Sequence, residues 1–403
     1  MLTSLAFIFL VGLAAGGICN RLKLPRIIGM LVTGILLGPY VLDLLDPSIL
    51  SISSELRQMA LIIILLKAGL SLNLSDLRRV GRPAVLMCFV PASFEILAFF
   101  FFAPYLLGVS RIEAAVMGAV LGAVSPAVVV PRMVQLMEEK RGTDKSIPQL
   151  ILAGASCDDI YVIVLFTTFV SMAQGGSARA SDFIGIPVSV ALGVLLGAVS
   201  GFLLWRFFET AYERQRYIRN STKVIIVLGL SFLLMAVETW LEDIVSVSGL
   251  LAVVSMACTL KIKSSGFVSQ RLSEKFGKLW IAAEVILFVL VGAAVDIRYT
   301  LTAGPAAIAM IFLSLSFRSL GVFLCLAGTQ LSGKERLFCI IAYLPKATVQ
   351  AAIGSVPLSM GLPCGQMVLS VSVLAILITA PLGAVGMDLT YRRLLSDDSE
   401  SFS

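Results

Sequence analysis

Long apolar runs, each closed by a cluster of charge or of proline and glycine, follow one another along the whole chain. They fall at roughly 2–19, 26–42, 57–74, 83–107, 113–131, 147–172, 184–205, 223–240, 244–260, 279–295, 303–328, 336–357 and 364–387. Most reach the roughly 17–25 residues a helix needs to cross a bilayer, and they lack the ~10-residue alternation of barrel strands. The pattern predicts an all-α polytopic membrane protein of about thirteen transmembrane helices, forming a single transmembrane domain. The first run, Leu2 to Ile18, has neither a basic leader nor a small-residue cleavage site and reads as a retained helix. Residues 388–403 are polar and acidic, and are expected to form a short cytoplasmic tail with no attached regulatory domain.

Composition sharpens this picture. Hydrophobic residues make up 58% of the chain and charged ones 14%, against roughly 45–50% and 25% in soluble domains. The +6 net charge therefore does not point to nucleic acid; its placement matters more. With the N-terminus outside, 24 of the 31 lysines and arginines fall in cytoplasmic loops and the tail. Arg57, Arg111, Arg179 and Arg298 lie outside, and Lys67, Arg318 and Lys346 lie within spans. The positive-inside rule then predicts an outside N-terminus and a cytoplasmic C-terminus in the inner membrane of the cell. Seven cysteines without paired-loop spacing predict free thiols, and no motif calls for a cofactor. There is no histidine, so proton chemistry near neutral pH falls to carboxylates or lysines.

The chain also repeats itself at an offset of about 222–223 residues. Leu61 to Leu74 resembles Glu284 to Ile297, Pro83-Ala84 matches Pro305-Ala306, and Glu113 matches Glu335. An offset of seven spans places the copies, roughly 20–172 and 244–387, in opposite orientations, as in inverted-repeat transporters. Span five carries Ser125-Pro126 and Pro131, and its counterpart carries Pro345-Lys346. Proline in a helix interior removes a hydrogen bond, and freed backbone at membrane depth survives only against protein or a wet cavity. The pair predicts two discontinuous helices crossing near an ion site, with Lys346 and Ser125 placed to balance the half-helix dipoles.

Asp158 and Asp159 lie in the sixth run. An ionised carboxylate at membrane depth costs roughly 2.5–3.5 kcal/mol on insertion scales, so a neighbouring pair points to something cationic, a proton or a metal ion. Successive helical residues diverge by about 100°, so one carboxylate should face the breaks and the other flank it. Ser125, Ser156 and Thr348 offer further oxygens. Arg318, always charged, needs a buried partner, either Glu95 or an Asp of the pair; a structural ion pair and direct ion handling both fit.

At these residues the chain resembles the monovalent cation/proton antiporter superfamily of sodium/proton exchangers. The matching stretches are Leu24 to Gly29, Gly34 to Pro39, Leu66 to Leu74, Ser125-Pro126, the Asp158-Asp159 helix, Arg318 to Gly321, and Pro345 to Gln350. The resemblance implies a homodimer with a mobile core of two inverted repeats, working by alternating access. It implies that Asp159 binds ion and proton in turn, with Asp158 in a position filled by Asn in one branch and by Asp in another, the Asp branch being associated with electrogenic exchange. Gly154-Ala155 stand where Asn-branch relatives carry a Glu, and Ser125 where many carry a carboxylate. The expected activity is exchange of Na⁺ or Li⁺ for protons, with K⁺/H⁺ exchange and sodium-coupled organic anion symport as alternatives. A membrane-embedded protease has little support, since the two carboxylates are neighbours on one helix.

Overall fold

The computed structural model describes residues 1–71, 81–174, 180–214, 218–241, 247–264 and 266–396. Among them the regular elements are helices. In chain order these are α1 (Leu2–Arg21), α2 (Arg26–Leu37), α3 (Pro47–Ser51), α4 (Ser53–Ser71), α5 (Arg82–Met87), α6 (Val90–Leu107), α7 (Arg111–Leu121), α8 (Pro126–Glu138) and α9 (Ile147–Gln174). The second half adds α10 (Ala180–Glu213), α11 (Asn220–Leu241), α12 (Gly249–Lys263), α13 (Gly266–Ala293), α14 (Ile297–Cys325), α15 (Gly333–Ala342), α16 (Thr348–Gly354), α17 (Val356–Ser359) and α18 (Gly365–Leu394).

Nine helical stretches among the described residues are long and apolar enough to cross a membrane. The other four expected spans are shorter, interrupted or more charged. α2 stops at Leu37 because Gly38-Pro39 follows, and the residue before a proline is driven out of the helical region. α12 has 15 residues and opens behind Ser248, whose hydroxyl accepts the Leu251 N–H. α4 carries Glu55, Arg57 and Lys67, and its expected continuation to residue 74 lies outside the described residues. The twelfth run is split between α15 and α16.

The chain divides into two compact units, one of Met1–Ser54, Asn73–Phe169 and Val285–Ser403, the other of Glu55–Leu72 and Val170–Glu284. In the second unit α10 lies along α12. A Cβ at Gly193, Gly197 or Gly201 would strike the backbone of Ser248, Ala252 or Met256, so the four-residue glycine row sets how closely these helices approach. In the first unit α6 packs against α7 and α14, while α18 passes α7, α8, α14, α15 and α16. Gly118 of α7 and Gly321 of α14 abut the α6 backbone at Ile96 and Pro91, bringing Glu95 within reach of both neighbours.

Candidate functional site

The site begins with two helices that stop and restart. α7 and α15 each open on a Ser-x-x-Glu capping box, Ser110 with Glu113 and Ser332 with Glu335, which satisfies orphan N–H groups of the first turn reciprocally. α7 then ends at Leu121 and α8 starts at Pro126, where a missing N–H is no loss. α15 ends at Ala342 and α16 starts at Thr348, with Pro345 between.

The two breaks lie against each other, and their freed backbone groups pair across the gap. The Ser125 N–H donates to the Pro345 carbonyl at 2.8 Å. Gln350, fully buried, bridges both: its Nε2 donates to the Ala123 carbonyl at 2.9 Å and its Oε1 accepts the Ala347 N–H at 2.8 Å. Thr379 of α18 accepts the Lys346 N–H at 2.9 Å. This is how irregular backbone is tolerated at membrane depth.

Charge fills what remains. Arg318 enters from α14 and donates from Nε to the Tyr343 carbonyl at 2.7 Å. Its terminal nitrogens reach Glu95 at 2.9 Å, Asp158 at 3.3 Å and the Gly122 carbonyl. The Lys346 ammonium donates to Glu95 and to the Leu121 carbonyl. Asp158 accepts the Val124 N–H at 2.9 Å just ahead of α8. Ser314, one turn before Arg318, donates to the other Glu95 oxygen at 3.3 Å. Cations thus sit on carbonyl ends of the broken helices and a carboxylate on an amide end, which the half-helix dipoles favour. Arg318, Lys346, Glu95 and Asp158 are each at most 1% exposed, so their desolvation is offset only by this mutual pairing.

The structure therefore brings together Asp158, Ser125, Arg318, Lys346 and Glu95, with Thr348 opening α16 beside the second break. Arg318 takes both partners that the sequence left open. Asp159, next on α9, is also buried. The side chain of Ser156 lies outside the described residues. The Ser125 and Thr348 hydroxyls and Asp158 Oδ1 are buried without a hydrogen-bond partner among the described residues. Buried orphan oxygens suit a proton or a small hard cation. Gln350, Tyr343 and Thr379 had no assigned role in the sequence reading; the available signal was a lone amide or hydroxyl in an apolar helix beside a proline.

A family profile described as "Sodium/hydrogen exchanger, transmembrane" matches residues 5–388. The chain is similar to human Sodium/hydrogen exchanger 9B2, 35% identical over 388 residues, covering 92% of this chain and 70% of that protein. It is also similar to human Sodium/hydrogen exchanger 9B1, 31% identical over 385 residues, covering 93% and 73%. Among solved structures, the sodium proton antiporter MjNhaP1 from Methanocaldococcus jannaschii superposes with a TM-score of 0.82 at 21% identity, over 98% of each chain.

Proposed function

The chain belongs to the transmembrane sodium/hydrogen exchanger family and is a multi-pass integral membrane protein, and from that premise we propose that it exchanges cytoplasmic Na⁺ for external protons by alternating access. Asp159 is the shared site, supported by Asp158, Ser125, Ser156 and Thr348, while Arg318, Lys346 and Glu95 compensate charge. The observation that carries this reading is the charge balance around the breaks. Two cations, Arg318 and Lys346, are paired with Glu95 and Asp158, and Asp159, the next residue on α9, adds a third buried carboxylate, a formal charge of −1 over the five. One proton or one monovalent cation neutralises it, and the two compete. A site that crosses only when neutral couples the fluxes through that competition alone. Cation uptake into the site should therefore slow as pH falls.

The same reading takes the fold as thirteen spans in two inverted repeats. Its supports are the paired capping boxes at Ser110 and Ser332, the paired restarts at Pro126 and Thr348, and Glu95 facing Arg318. All stand 222 or 223 residues apart. The protein is taken to work as a homodimer, N-terminus outside and C-terminus cytoplasmic. A negative cluster argues against an organic anion as cargo. Li⁺ and K⁺ remain the ions to assay beside Na⁺.

The test is cation-dependent proton flux in proteoliposomes. Wild type should exchange Na⁺ for H⁺, and Asp159→Asn should give folded protein with no exchange. Continued exchange by the Asn variant would remove Asp159 from the mechanism.

A further inference from the structure

Tyr343 is the first residue of the second break and has no exposed surface. Its hydroxyl is buried with no hydrogen-bond partner among the described residues, a costly arrangement unless the side chain is held there for another reason. Two contacts supply one. The ring lies against the Arg318 guanidinium, 5.4 Å from ring centre to Cζ, within cation–π range. The Tyr343 carbonyl accepts Arg318 Nε at 2.7 Å. One residue thus grips the guanidinium by both backbone and side chain.

The far end of the ring explains Gly154. A Cβ on Gly154 would occupy the place of the Tyr343 hydroxyl, with the Met87 Cβ 2.9 Å away. Gly154 is one turn before Asp158 on α9 and shares its face. The phenol therefore reaches across from Arg318 to the helix that carries Arg318's partner. Glu95 from α6 and Asp158 from α9 also face Arg318, the Lys346 ammonium from the break meets it on the shared Glu95 oxygen, and Cys325 ends its own helix.

We propose that Tyr343, accommodated by the missing side chain at Gly154, is a positioning residue that holds Arg318 against Asp158. The inference rests on the exchange reading above for its kinetic consequence but not for the contact itself. With the ring removed, Arg318 is free to drift from Asp158, and the site becomes locally more negative. It then binds its cation more tightly and releases it more slowly.

The experiment compares Tyr343→Leu, Gly154→Ala and the double variant Gly154→Ala/Tyr343→Phe with wild type in Na⁺-driven proton flux. Tyr343→Leu and Gly154→Ala should lower the apparent KM for Na⁺ by roughly threefold together with the maximal rate. A merely structural defect would lower the rate at constant KM. The double variant, whose ring lacks the oxygen that meets the new methyl while the Met87 Cβ still crowds that methyl, should return KM part of the way to wild type. Tyr343→Leu with an unchanged KM, or a double variant no better than Gly154→Ala, would overturn the proposal. Thermal unfolding in detergent decides the contact independently of transport. Gly154→Ala should melt below wild type and the double variant above Gly154→Ala, and the absence of that recovery counts against the contact. A wild type without exchange would instead sink the functional reading, leaving the melting cycle to judge the contact.

Discussion

A guanidinium has five N–H donors to place, and Arg318, with no exposed surface, uses four of them on the Tyr343 and Gly122 carbonyls and on Glu95 and Asp158. A lysine ammonium has no planar fork and cannot span these four acceptors. Arg318→Met should therefore cost about 3–5 kcal/mol, because it leaves buried carboxylates without their guanidinium. Arg318→Lys should fold and lose most exchange. Melting in detergent, read beside proton flux, separates the two outcomes. Gln350 offers a second residue-scale test, since its side chain satisfies Ala347 N–H and Ala123 C=O together. Gln350→Leu leaves both unpaired and should destabilise by roughly 1–3 kcal/mol per group. Gln350→Glu keeps the acceptor for Ala347 but faces the Ala123 carbonyl either as a protonated donor or as an unpaired buried charge, so its stability should fall as pH rises. Equal melting of all three proteins would show that the bridge does not hold the breaks together.

Helices α7 and α15 start alike but do not end up in equal surroundings. Glu113 in the first capping box is only half-buried, whereas Glu335 in the second is 3% exposed and takes both its oxygens to the Lys145 ammonium at 3.0 Å. Glu335→Gln should cost roughly 1.5–3 kcal/mol, the range for hydrogen bonds to a charged group, whereas Glu113→Gln should stay within about 0.5 kcal/mol because Gln still serves a capping box. Similar melting losses for the two variants would mean that Lys145 contributes nothing to α15. The elements show what a sequence can and cannot reveal. Ser125-Pro126, Pro345 and Asp158-Asp159 stand out because proline and charge are conspicuous against a leucine–isoleucine background. The breaks fall where those prolines place them. Ends set by a neighbouring Gly-Pro or a serine cap, as at Leu37 and Gly249, were read several residues away. Glu95 and an Asp of the pair were legible as partners for Arg318, but that it holds both at once, and that Gln350 bridges to Ala123, were not. These contacts join residues 227, 223 and 160 positions apart, and one sequence carries no record of which distant helices touch.

For the whole molecule, the number of protons moved per cation follows from how many carboxylates at the breaks remain exchangeable. Asp158 Oδ2 accepts the Val124 N–H and faces Arg318, so its charge is part of the frame that holds the first break open. Glu95 is tied to Arg318, Lys346 and Ser314. On the exchange reading proposed above, in which Asp159 alone takes ion and proton in turn, one proton moves for one cation, and a cycle of that kind moves no net charge. Exchange rates in proteoliposomes should then be the same with the membrane held at 0 and at about −100 mV. Two protons per sodium would bias the equilibrium by ~2.3 kcal/mol per 100 mV, about fiftyfold. A voltage effect of that size would show that Asp158 leaves Arg318 during the cycle and takes a proton of its own. On the same reading, Tyr343→Leu, which loosens Arg318, is the variant in which voltage sensitivity should first emerge.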